Sequence, residues 1–265
     1  MHFPALLFDI GNTTLKIGMA DEKGIRSSYS LPSTSTETAD SLGLKLLEIC
    51  RHANLAPSGL ECCLACSVVP SFDPVLATAC QRYLGLPLRF TPRDLPIPLE
   101  NRYQRPQEVG ADRLATAFAG RALYSAPTVI VVDFGTATTF DCVQDNAYLG
   151  GLICPGLLSS ASALSTRTAK LPQVSLELDS PELSVGRSTS HSLNQGLIFG
   201  FAAMAEGLIQ RLKKTLQRPG EAFFVVGTGG LANAVAQASD CFDAIRPDLL
   251  LEGLRRLLQR TEPER

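Results

Sequence analysis

The chain has 265 residues and a mass of 28.4 kDa, with 45% apolar and 19% charged residues; this is a globular composition and excludes a disordered chain. Lysine and arginine (24) against aspartate and glutamate (26) leave a net charge of −2, so no basic excess recruits nucleic acid or an anionic membrane. No apolar run approaches the roughly 20 residues that span a bilayer, and Met1-His2-Phe3-Pro4 puts no basic residue ahead of an apolar run that stops at Asp9, so a cytoplasmic protein without a secretory leader is expected.

Residues 5–10 form a continuous apolar run ending in Asp9-Ile10-Gly11-Asn12, the pattern of a buried strand that delivers a turn. Strands over 15–19 and 25–31 follow, with Asp21-Glu22-Lys23-Gly24 as turn chemistry between them. Leu42, Leu46, Leu47 and Ile49 give helical spacing over 37–53, and a strand over 62–69 and a helix over 72–84 come next. Four prolines (Pro92, Pro96, Pro98 and Pro106) make 91–106 an extended loop. Gly110-Ala111-Asp112-Arg113 opens a helix to about residue 124. The strand over 128–133 then ends in Asp133-Phe134-Gly135-Thr136, and strands over 138–143 and 147–154 continue it. Helices over 192–216, 231–238 and 249–259 and a strand over 223–226 complete the alternation.

Two segments repeat nearly half a chain apart. Residues 5–14 carry an apolar strand, Asp9, Gly11, then Thr13 and Thr14; residues 130–139 carry an apolar strand, Asp133, Gly135, then Thr136, Thr138 and Thr139. The repeat predicts two similar α/β lobes, 1–120 and 121–265, facing one another across a cleft. Of the eight cysteines, Cys62-Cys63-Leu64-Ala65-Cys66 contains one C-x-x-C. No second pair completes a zinc site and His2, His52 and His191 are scattered, so these cysteines read as small hydrophobes on a buried strand.

Asp-x-Gly at a strand end has a chemical reading beside the plain hairpin. Asp9 places a hard carboxylate where a metal-bound polyphosphate can sit. Gly11 lets backbone N–H groups approach phosphate oxygens. Asn12, Thr13 and Thr14 add neutral donors, and Lys16 a positive charge. The chain has no Walker loop and no strand-to-helix G-x-G-x-x-G at its first strand. Gly227-Thr228-Gly229-Gly230 either lies against an adenine and ribose or packs tightly. Asp112 and Arg113 either serve the helix start or, in a cleft, orient a substrate hydroxyl and clamp a carboxylate. The helix over 192–216 carries Leu193, Leu197, Met204, Leu208 and Leu212, with small residues at Gly196, Gly200 and Ala203; it reads as a core helix or as an interface.

Five motifs occur in order: Asp9-Ile10-Gly11-Asn12-Thr13-Thr14-Leu15-Lys16, Gly110-Ala111-Asp112-Arg113, residues 133–141 from Asp133 to Asp141, Gly150-Gly151 through Gly156, and residues 168–172 ending in Pro172. Together they resemble the type III pantothenate kinases. The resemblance implies the actin-like fold of the superfamily of sugar kinases, heat-shock ATPases and actin (ribonuclease H-like lobes), and phosphorylation of pantothenate by ATP with Mg2+. It further implies that Asp9 to Lys16, with Ile10 and Leu15 among them, bind the ATP phosphates with Thr136, and that Asp112 is the catalytic base. Tyr103, Gly110, Ala111, Asp112 and Arg113 would bind pantothenate, and Asp133 a monovalent cation, K+ or NH4+. Thr189 would complete the substrate site across a homodimer interface; its segment departs from the family pattern at Ser188, where Asn is usual, and at His191. A kinase for another small hydroxyl substrate and a non-catalytic regulator are the competing readings. Asp9, Asp112 and Asp133 are all present, which favours the kinase.

Overall fold

The computed structural model describes residues 2–34, 36–167 and 171–260. In chain order its elements are β1 (Ala5–Ile10), β2 (Thr14–Ala20), β3 (Ile25–Pro32), α1 (Ala39–His52), β4 (Cys62–Ser67), α2 (Asp73–Ala79), β5 (Leu88–Thr91), β6 (Glu100–Asn101), α3 (Ala111–Leu123), β7 (Thr128–Phe134), β8 (Ala137–Gln144), β9 (Ala147–Pro155), α4 (Leu157–Arg167), α5 (Thr189–Leu216), β10 (Phe223–Thr228), α6 (Ala232–Ala236), β11 (Ala244–Ile245) and α7 (Leu249–Arg260). The chain divides into two compact units. One holds residues 1–99, 104–122 and 248–265, the other residues 100–103 and 123–247. No helix among the described residues is long and apolar enough to cross a membrane.

The first unit is built on a five-stranded sheet in the order β3-β2-β1-β4-β5. β1–β2 and β2–β3 pair antiparallel, β1–β4 and β4–β5 parallel. β1 is apolar on both faces because both are covered. Leu6, Phe8 and Ile10 pack with Leu42 and Leu46 of α1 and Leu76 of α2. Ala5 and Leu7 pack with Ala115 and Phe118 of α3 and with Leu251, Leu254 and Leu258 of α7. Asp9 continues this second face as β1 ends.

The second unit repeats the plan. Its sheet order is β11-β10-β7-β8-β9-β6, with β7–β8 and β8–β9 antiparallel and β7–β10 and β10–β11 parallel. Without β6 this is the same five-strand topology, strand for strand. Ile130, Val132 and Phe134 face Ile198, Ala202 and Ile209 of α5 and Val235 of α6.

Several elements differ from the sequence expectation, each for a tertiary reason. β6 lies inside the proline-rich segment expected to be an extended loop; it forms because Glu100 and Asn101 pair with Ala147 and Tyr148 of β9. β5 and β11 are likewise short strands made by pairing with β4 and β10. α4 has no apolar stripe to announce it, since only Leu157 is buried. α2 ends at Ala79 and passes into a π turn over Cys80–Leu84. Strand parity separates the C-x-x-C: Cys63 lies in one core and Cys62 and Cys66 in the other.

α3 and α7 approach each other at Gly253, where a Cβ would lie 2.7 Å from the Ala115 carbonyl oxygen and 2.9 Å from Ala119 Cβ. In an open helix Gly→Ala stabilises by about 1 kcal/mol, whereas overpacking a tight contact costs about 1–3 kcal/mol. Gly253→Ala is therefore expected to lower the thermal midpoint, by roughly 2–6 °C. A raised midpoint in a calorimetric scan would contradict the close helix contact.

Candidate active site

β1 and β4 run parallel, so both end at the same edge of the first unit's sheet. Asp9 lies opposite Lys16 on β2 and Cys66 on β4. Gly11 turns the chain, its N–H donating to the Thr14 carbonyl at 3.0 Å. Asn12, Thr13 and Thr14 stand exposed on this turn. Ile10 and Leu15 are fully buried core residues, so they offer a ligand only their backbone groups. Lys16, expected to bring positive charge to the loop, places its Nζ 2.7 Å from Asp248 Oδ1, and the Ser28 hydroxyl donates to the other Asp248 oxygen at 3.1 Å. Sequence reasoning missed Asp248, because nothing local marks a residue 232 positions from its partner.

Gly110 and Ala111 lead into α3 and place Asp112 in its first turn. The Arg113 N–H donates to Asp112 Oδ1 at 2.8 Å. This carboxylate folds back over Gly110, where any Cβ would collide with Oδ1 and stand 3.8 Å from Val68 Cγ1. Val68 in turn donates its N–H to the Ile10 carbonyl at 3.0 Å, so Asp112 stands beside the segment that ties the end of β4 to the end of β1.

The buried thiol of Cys66 senses this convergence. Burial pushes it well above its ordinary range, and the charges of Asp9, Asp112 and Asp73 push it further, in that order. Asp73 and Ser67 were not singled out from sequence. Asp73 opens α2 and accepts a hydrogen bond from the Ser67 hydroxyl at the end of β4, while Ser67 Oγ accepts from the Val69 N–H at 3.1 Å. Asp73-Pro74 after a strand was the available signal, and it reads as a helix start alone.

The second unit carries the matching hairpin. Asp133 lies opposite Thr139 on β8 and Thr228 on β10. The Gly135 N–H donates to the Ala137 carbonyl at 3.1 Å, so this turn is tighter than the one at Gly11. Thr136 is exposed, and its carbonyl accepts from the Ser159 hydroxyl at 2.8 Å. Gly229 follows β10 at φ +91°; a Cβ there would collide with Asp133 Oδ1 and lie 2.7 Å from the Phe134 carbonyl oxygen. The glycine run 227–230 thus packs against the Asp133 turn. Tyr103 lies by Gly150 and Tyr148. Thr189 is exposed as the first residue of α5. Ser188 caps that helix, its Oγ accepting from the His191 N–H at 3.2 Å. Ser and Asn are comparable caps, so the departure at Ser188 preserves the helix start. Of the motif over 168–172, residues 168–170 lie outside the described residues.

Comparison with known proteins adds to this geometry. The model of the type III pantothenate kinase family matches residues 5–211. The type III pantothenate kinase of Nitratidesulfovibrio vulgaris strain DP4 is 61% identical over 258 residues, 97% of this chain and 97% of that protein. Type III pantothenate kinase 1 of Symbiobacterium thermophilum is 38% identical over 263 residues, covering 98% and 97%. Among solved structures, the activator of 2-hydroxyisocaproyl-CoA dehydratase from Clostridium difficile, with bound ADPNP, aligns with a TM-score of 0.52 at 13% identity, over 98% of each chain. That likeness concerns fold, and the fold is the duplicated actin-like α/β architecture.

Because burial and three carboxylates hold Cys66 protonated, it is expected to stay unalkylated when folded protein meets iodoacetamide briefly at pH 9. It should react once the protein is denatured. Peptide mapping checks this, and labelling of native Cys66 at the rate of a free thiol would contradict its burial beside these carboxylates.

Proposed function

The chain belongs to the type III pantothenate kinase family, an ATP-dependent kinase of coenzyme A biosynthesis that phosphorylates pantothenate, and we propose that Asp112 aligns the substrate's primary hydroxyl for the transfer. The observation that carries this assignment is the position of the Asp112 carboxylate. It is tied at 2.8 Å to the first turn of α3 and bears, together with Asp9, on the same buried thiol.

Phosphoryl transfer passes through a loose transition state, so alignment and charge neutralisation matter more than a strong base. An alcohol is too weak an acid for Asp112 to ionise beforehand. Asp112 therefore orients the hydroxyl and accepts its proton late. Arg113 clamps the pantothenate carboxylate through paired hydrogen bonds, and Gly110, Ala111 and Tyr103 are further pantothenate contacts. The turn Asp9 to Lys16 cradles the ATP phosphates through the N–H groups around Gly11 and the hydroxyls of Thr13 and Thr14, and Thr136 supplies the second nucleotide contact.

ATP is used with a divalent metal, Mg2+, held mostly by phosphates and water. We assign a monovalent cation, K+ or NH4+, to Asp133. The support is the pair of oxygens, Asp133 Oδ1 and the Phe134 carbonyl, that lie together beside Gly229. Two hard oxygens suit such an ion, whose positive charge offsets the repulsion between Asp133 and a triphosphate. A homodimer is supported by α5, whose Gly196, Gly200 and Ala203 leave an exposed small-residue face that allows close helix approach. Thr189 would then serve the substrate site across that interface. We place the enzyme in the cytoplasm.

Two measurements test these roles. Asp112→Asn is expected to lower kcat at least about 100-fold while ATP binding, followed by calorimetry, stays within about threefold; near-normal turnover would remove Asp112 from the chemistry. In a coupled ADP-release assay, pantothenate-dependent turnover is expected in potassium and lost in sodium. Equal rates in both salts would discard the cation role of Asp133.

A further inference from the structure

β8 and β9 place a buried carboxylate beneath the tyrosine assigned to the substrate. Asp141 is 1% exposed and Tyr148 is fully buried. The Tyr148 hydroxyl donates to Asp141 Oδ1 at 2.8 Å, and the Thr139 hydroxyl donates to Oδ2 at 3.1 Å. An irregularity in the β8–β9 pairing sets this up. Cys142 pairs with Gly150 and Val143 with Tyr148, so Leu149 is the extra residue of a bulge. The bulge turns Tyr148 onto the Asp141 face, and Gly150 takes a φ of +107°.

Tyr103 rests on this arrangement through three contacts. Its ring centroid lies 6.4 Å from that of Tyr148, tilted by 41°. Its ring covers Gly150, where a Cβ would press to 3.0 Å from Cδ2 and 3.1 Å from Cε2. The backbone leading to it is fixed as well, since the Arg102 N–H donates to the Tyr148 carbonyl at 2.9 Å and the Tyr103 N–H to Asn101 Oδ1 at 3.0 Å. Tyr103 thus packs against Tyr148 through its ring and is tied to Tyr148 through the neighbouring backbone.

A buried carboxylate is costly unless its oxygens are hydrogen-bonded, and an apolar pair would fill the same volume more cheaply. We propose that the Asp141–Tyr148 pair is a positioning device for the Tyr103 wall, so that Tyr148 sets the affinity for pantothenate without touching it. This rests on reading Tyr103 as a substrate contact. Asp141 reaches further along the same face, because Thr139 stands opposite Asp133. The hydrogen-bonded row Tyr148–Asp141–Thr139 therefore runs from beneath Tyr103 to the residue opposite Asp133.

The test is steady-state kinetics of Tyr148→Phe, Tyr103→Ala and the double variant, with thermal midpoints measured alongside. Tyr148→Phe keeps the ring and deletes one donor to a carboxylate. It is expected to raise KM for pantothenate about tenfold while KM for ATP and kcat stay within about twofold. The double variant should be no worse than Tyr103→Ala alone, since both act through one wall. Asp141→Asn, whose amide oxygen still accepts from the phenol, should give a smaller rise and serves as the second variant if Tyr148→Phe folds poorly. If Tyr103→Ala raises KM for pantothenate and neither Tyr148→Phe nor Asp141→Asn does, the positioning role is wrong and the reading of Tyr103 stands. If Tyr103→Ala leaves that KM unchanged, the reading of Tyr103 fails and takes the positioning role with it. A fall in midpoint with both KM values unchanged would mean a purely structural pair and would also overturn it.

Discussion

A carboxylate at the carboxyl end of a central strand, where the next residues must turn within a few ångströms, constrains most of what surrounds it. Asp9 and Asp133 both occupy this position, and each is followed two residues later by glycine. Such a carboxylate stands at the mouth of a sheet whose interior is apolar, so its charge must be met by polar groups from neighbouring chain ends. At Asp133 the pressure is visible in Gly229, where no larger residue fits beside the carboxylate. At Asp9 it is visible in Cys66, whose thiol is pushed upward by burial and then by the same charge. The candidate site lies where the fold brings carboxylates to strand ends, and like charges gathered there favour a ligand that carries cations.

The duplication then becomes a physical economy. The same five-strand pairing gives each unit one Asp-x-Gly hairpin, but the two turns differ: Asp9 faces Lys16 across its hairpin and Asp133 faces Thr139. A lysine beside the first carboxylate suits a phosphate loop, and a hydroxyl beside the second suits an ion site. Lys16 is itself held by Asp248 just ahead of α7, so its ammonium is positioned by a segment that arrives from the far end of the chain. Asp112 stands apart from the repeat, on a helix start, where the backbone of the first turn holds one of its oxygens.

Much of this was legible in the sequence because it is local. An apolar run ending in Asp-x-Gly and followed by hydroxyls writes both hairpins, and its recurrence announces two similar units. Family motifs singled out Asp112, Arg113 and Thr136 as candidates. What could not be read depends on contacts between distant residues. β6 is a strand only because Glu100 and Asn101 meet β9. Asp73 joins the carboxylate cluster through Ser67 and the shared edge of β1 and β4. The amphipathic stripe of α7 predicts a packed helix but does not name the sheet it packs against. Asp141 was visible as part of a motif, yet its partner Tyr148 required the bulge at Leu149 to be known.

The central claim is that the carboxylates gathered at the end of β1 and β4 serve transfer of a phosphoryl group from ATP to pantothenate. Its most direct test is 31P NMR of one reaction mixture containing enzyme, Mg2+, K+, ATP and pantothenate. The account predicts loss of the γ-phosphate signal matched by growth of a phosphomonoester resonance that appears only when pantothenate is present. Growth of free inorganic phosphate instead, or no pantothenate-dependent change with ATP bound, would contradict it.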